Sequence, residues 1–169
     1  SDGTLKVLGV AAALLAVLPN IACSNKLVSA NGIYTEFGIQ LWTLRDIINV
    51  NPKETIRQVG KMGYTQIESF EGEKGIFWGM KPKEFKSFLD GENLKLVSAH
   101  CNWTKDLQLK AADVASIGGK YLICPWLGPQ KTLDDYKKYA DEFNKAGEIC
   151  KKEGVKFAYH NHDYSFKEM

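Results

Sequence analysis

The chain has 169 residues, 44% hydrophobic and 25% charged, the composition of an ordinary globular domain with one buried core. Its 22 basic and 20 acidic residues leave a net charge of +2, and no basic stripe carries interleaved aromatic residues, which argues against nucleic acid as a partner.

Residues 1–30 differ from the remainder. Val7–Leu18, "VLGVAAALLAVL", is an apolar run preceded by Lys6 and followed by Pro19 and Asn20. It falls short of the roughly 20 apolar residues that span a bilayer, and its flanks predict the hydrophobic region of a secretory signal peptide. "TLKVLG" resembles the end of a twin-arginine export signal, and "PNIACSN" around Cys23 resembles a degenerate lipoprotein processing site. Export to the periplasm or cell envelope is therefore expected, with membrane anchoring through a lipid on Cys23. Cleavage after Ala30 and a docked N-terminal helix are the alternatives. Cys101, Cys124 and Cys150 remain, an odd number without C-x-x-C spacing, which predicts small buried thiols and no disulfide framework or zinc knuckle.

From residue 31 the pattern is that of one domain. "FGIQLW" (37–42) reads as a strand, and Pro52 opens a helix that Gly63 ends. "YTQIESF" (64–70) is the second strand, and "KPKEFKSFLDGEN" carries Phe85, Phe88 and Leu89 at helical spacing. "LKLVSAH" (94–100) is the third strand, followed by a helix through "LQLKAADVASIG" to Gly118 and Gly119. "KYLICPW" (120–126) is the fourth, with Pro125 at its exit, where no ladder donor is needed. The helix "LDDYKKYADEFNKAGEICKKEG" stops at Gly154, and "VKFAYH" (155–160) is the fifth strand.

Strands separated by helices of this length need crossover connections, so the sheet is predicted to be parallel. Units of about 30 residues suit a partial (β/α)8 barrel with about five of its eight units. A doubly wound open sheet is the alternative, although its G-x-G-x-x-G loop is missing.

Alternation along each strand then nominates the residues that face the barrel axis. Gln40 and Trp42 face inward from the first strand; Gln66, Glu68 and Phe70 from the second; Leu96, Ser98 and His100 from the third. Leu122, Cys124 and Trp126 follow from the fourth, and Lys156, Ala158, His160 and, beyond the strand, His162 from the fifth. Trp42, Glu68, His100, Trp126, His160 and His162 thus converge on the C-terminal mouth, where barrel enzymes place their sites. Tryptophan rings beside imidazoles and a carboxylate suit a polyhydroxylated ligand, or two imidazoles plus carboxylates hold a divalent ion.

"GIQLWTLRD", "GYTQIESFEG", "LVSAHCNW" and "GVKFAYHNHDYSF" together resemble the xylose isomerase-like TIM barrels, the sugar phosphate isomerase/epimerase family, over residues 37–169. The resemblance implies a metal-dependent sugar or sugar phosphate isomerase or epimerase. A divalent ion (Mn, Zn or Mg) polarises a carbonyl while acid and base groups move a proton at the adjacent carbon. Residue by residue it implies His160 as a metal ligand, His162 at the substrate, and Glu68 and His100 as groups that bond to hydroxyls or transfer a proton. Gln40, Trp42 and Trp126 are expected at the substrate from their inward positions. The partner is then a small sugar or sugar derivative, with oligomerisation left open. The family's remaining ligands come from strands six to eight, so an N-terminal fragment is expected. The alternatives are a noncatalytic carbohydrate-binding or assembly protein and a keto-polyol dehydratase. Charge argues against the related barrel of abasic-site endonucleases.

Overall fold

A computed structural model describes residues 36–167. The expected signal peptide, the cleavage point and Cys23 lie outside the described residues, and no described helix is long and apolar enough to cross a membrane.

Five strands alternate with helices: β1 (Gly38–Gln40), α1 (Arg45–Ile48), α2 (Pro52–Lys61), β2 (Gln66–Phe70), α3 (Pro82–Gly91), β3 (Lys95–His100), α4 (Leu107–Ser116), β4 (Tyr121–Cys124), α5 (Leu133–Lys152) and β5 (Lys156–Tyr159). All neighbours are parallel and the spatial order is β1-β2-β3-β4-β5. A doubly wound sheet reverses its strand order at a switch point. This one never does, so the architecture is five consecutive units of a (β/α)8 barrel.

The helices begin where the chain supplies caps. Asn51 accepts the Glu54 N–H at 3.2 Å ahead of Pro52, and Thr132 forms a reciprocal capping box with Asp135 at the start of α5. After α4, Gly118 takes a φ of +88°, and a Cβ on Gly119 would lie 2.4 Å from Val114 Cγ1, so this turn requires both glycines.

The strand register corrects three expected orientations. Paired residues in a parallel ladder share a face. Leu122 pairs with Phe157 and Cys124 with Tyr159, whose rings pack on Phe143 of α5, so Leu122 and Cys124 face the helices. Both are fully buried, and it is Tyr121 and Ile123 that face the axis. The expectation carried Trp126 back through the strand by alternation, but β4 ends at Cys124 and Trp126 reaches the mouth from the loop beyond Pro125. Leu96 also faces the helices. It pairs with Ile67, whereas the next pair is Glu68 with Ser98, so Val97 is an extra residue that resets alternation in β3. Likewise β1 stops at Gln40, and Leu41 and Trp42 enter a 3-10 turn that buries Leu41 and leaves Trp42 exposed.

The core lies between the outer face of the sheet and the helices, with Ile67, Leu96, Ala99 and Leu122 against residues such as Phe85 and Val114. Leu122 is fully buried, so Leu122→Ala is expected to cost about 2–5 kcal/mol through lost transfer energy and an unfilled cavity. Met62→Ala, at a 70% exposed position, is expected within about 0.5 kcal/mol of the parent protein. Urea unfolding of both variants checks the contrast.

Candidate active site

The strand ends deliver a contiguous hydrogen-bonded set. Gln40 of β1 accepts the backbone N–H of Trp42 through Oε1 and places Nε2 3.1 Å from His100 Nδ1. His100 of β3 has its other nitrogen 3.2 Å from Glu68 Oε1 and 3.4 Å from His160 Nδ1. Ser98 donates to the second Glu68 oxygen. Both oxygens of Glu68 and both nitrogens of His100 are thus engaged by protein groups. His100 is only 8% exposed. Burial lowers its pKa below the usual imidazole value, the Glu68 charge opposes this, and His160 and His162 reinforce it. The ring is therefore neutral at neutral pH, and its contact with Glu68 is a hydrogen bond and not an ion pair.

After β5 the chain stacks its rings in a column. His160 and His162 lie 4.9 Å apart with planes 8° from parallel, and His162 and Tyr164 lie 5.5 Å apart at 11°. His162 Nε2 is 3.0 Å from the Pro125 carbonyl, which can only accept. The proton therefore sits on Nε2, and a neutral His162 keeps a lone pair on Nδ1. Trp126 packs edge-on against both His162 and Tyr164. Tyr164, buried at the end of the column, accepts the N–H groups of Leu127 and Gly128 at 3.2 and 3.0 Å.

These groups line a cleft of about 610 Å³ together with Phe70, Glu71 and Asn102. Trp42 is 54% and Trp126 57% exposed, and both line this cleft as open faces. Each has an aromatic neighbour behind it, Phe70 for Trp42 and Tyr164 for Trp126, which fixes the ring plane. Gln40, Trp42, His100, Trp126, His160 and His162 all border the cleft, whereas Glu68 stands behind His100.

Sequence reasoning missed Glu71 and Asn102. Glu71 follows the last residue of β2, where alternation ceases to apply. It is placed by Lys110, 2.9 Å from Oε2, and by the Asn102 N–H at 2.7 Å. Tyr164 was also missed, although the i, i+2, i+4 spacing of rings in "HNHDY" carries its signal.

No protein-family model matches the chain, and no curated protein matches it. Solved structures do. A sugar phosphate isomerase/epimerase from Parabacteroides distasonis is 30% identical with a TM-score of 0.68, over 79% of this chain and 57% of that one. A xylose isomerase domain containing protein from Salmonella typhimurium superposes with a TM-score of 0.55 at 12% identity, over 74% and 48% of the two chains. The fold is that of the xylose isomerase-like TIM barrels. The present chain spans 57% of the length of the Parabacteroides structure.

A third neighbour in fold, the IOLI protein, holds a zinc atom; it is 15% identical with a TM-score of 0.59, over 73% and 50% of the chains. In the present chain no group of three His, Cys, Asp or Glu is placed to hold an ion among the described residues. His160, the expected ligand, lies against the imidazoles of His100 and His162, and His100 and Glu68 bond to each other. The described residues alone therefore do not form a metal site.

Cys101, Cys124 and Cys150, the thiols of the described residues, are buried. Burial pushes Cys101, at the cleft wall, up to about 12 and Cys150 up to about 11. Thiolate is the reactive form, and a pKa near 12 leaves roughly one Cys101 in ten thousand ionised at pH 8 by the tenfold-per-unit rule. Alkylation of the folded protein at pH 8 is expected to spare Cys101 and Cys150 and to proceed at both in urea, as peptide mass mapping would register.

Proposed function

We propose that this cleft serves a carbohydrate isomerase or epimerase, moving a proton at the carbon beside a carbonyl. The observation that carries the reading is the pair of parallel imidazoles, His160 and His162, in a cleft that two exposed tryptophans also line at the C-terminal mouth. Tryptophan faces take the C–H side of a sugar, and Asn102 and Glu71 offer a donor and an acceptor to its hydroxyls. His162, with its Nδ1 lone pair, is the base that removes and returns the proton. Its tautomer is set by Pro125 and its ring plane by Trp126 and Tyr164, so it needs no reorganisation to act. His160 borders the cleft beside it. Glu68, His100 and Gln40 support this pair from beneath.

The family likeness adds a divalent ion, Mn, Zn or Mg, whose chemistry when bound would be carbonyl polarisation. Its remaining ligands would come from outside residues 36–167. Export to the cell envelope is part of the proposal on the strength of residues 1–30 alone. A second reading, carbohydrate binding without turnover, is favoured by one feature: both expected proton-transfer groups, Glu68 and His100, have their polar atoms satisfied by protein partners.

Incubation of the full chain with aldoses, ketoses and their phosphates in deuterated water separates these readings. Wash-in of deuterium beside the carbonyl, lost about 10²- to 10⁴-fold in His162→Gln and measured with and without chelator, is the expected result. Saturable sugar binding with no exchange in any condition would establish the second reading instead.

A further inference from the structure

We propose that Gln40 is a positioning residue that locks His100 in its Nε2–H tautomer and thereby decides which nitrogen of His160 carries a proton. A peptide N–H can only donate, so the N–H of Trp42 selects the oxygen of the Gln40 amide. That choice turns the amide NH2 toward His100 Nδ1, 3.1 Å away. An NH2 group also only donates, so Nδ1 must accept, and a neutral ring then holds its proton on Nε2. This N–H faces two acceptors, Glu68 Oε1 at 3.2 Å and His160 Nδ1 at 3.4 Å. The other Glu68 oxygen accepts the Ser98 hydroxyl.

The consequence reaches the cleft. With an N–H of His100 against it, His160 Nδ1 can only be an acceptor, so a neutral His160 carries its proton on Nε2, the nitrogen left for a ligand. His160 then offers a hydrogen-bond donor to a substrate oxygen, beside the lone pair of His162. His100 retains no lone pair for a metal. Gln40 touches none of the reacting atoms in this scheme and acts through His100. The inference rests on reading this cleft as the site, but its test needs no substrate, so the two can fail separately.

The full chain contains three histidines, so two-bond proton–nitrogen correlation on the ¹⁵N-labelled protein, with single His→Gln variants for assignment, resolves each ring. At a pH above the ring titration, His100 and His160 are each expected to show a pyrrole-type Nε2 and a pyridine-type Nδ1. In Gln40→Glu the carboxylate can only accept, so the Nδ1 resonance of His100 is expected to shift to the pyrrole type. A pyrrole-type Nδ1 on His100 in the parent protein, from the other tautomer or a charged ring, would overturn the lock. So would a folded Gln40→Glu variant with unchanged ring resonances. Should that variant not fold, the parent spectrum alone decides.

Discussion

The site depends on one extra residue in β3. Leu96 pairs with Ile67 and Ser98 pairs with Glu68, and Val97 between them has no partner. Without this bulge Val97 would stand beside Glu68 on the axis face, and every later residue of β3 would change sides. Ser98 and His100 would then point into the helix layer, where Ala99 now packs with no exposed surface. The polar residues would be buried in an apolar core and the cleft would lose its imidazole floor. The insertion therefore satisfies two demands at once: Leu96 and Ala99 enter the core, and Ser98 and His100 reach the site.

With that register set, polar satisfaction propagates without gaps. Gln40, Glu68 and Ser98 form one layer across three adjacent strands, with His100 a step nearer the mouth. Buried polar atoms are costly when unpaired, about 1–3 kcal/mol each, and among the described residues no buried side-chain nitrogen or oxygen is left without a partner. The mutual bonding of these side chains fixes their protonation pattern as well as their positions. Desolvation keeps His100 neutral although a carboxylate lies beside it, because burial outweighs the Glu68 charge.

Much of this was legible in the sequence. The period of the apolar runs and the Pro, Gly and Asn punctuation located the parallel strands and the helices between them, since these signals are local. Alternation correctly placed Gln40, Glu68 and His100 toward the axis. It failed for Leu96, because a bulge is a property of two strands and leaves no mark in one. It failed for Leu122 and Cys124 because Trp126 was counted as strand, when Pro125 had already released the chain from the ladder. Glu71 and Asn102 were invisible for a related reason: they lie past strand ends, and their direction is set by contacts with Lys110 and with each other.

The loops that carry Trp126, His160 and His162 would be poor supports for chemistry if each stood alone, since loop residues seldom hold an angle without help. Here the two loops are tied through Tyr164. Its hydroxyl receives the N–H groups of Leu127 and Gly128 from the β4–α5 connection, while its ring stacks beneath His162 of the segment after β5. The Pro125 carbonyl closes the same circuit from the other side by accepting the His162 proton. Backbone groups that would otherwise need water are thus used to align the His162 ring with an aromatic wall. The imidazole and the wall cannot shift independently, because moving either breaks a bond that the other loop requires. Rigidity at the mouth therefore comes from satisfying the backbone of one loop with the side chains of the other, and it survives the high exposure of both.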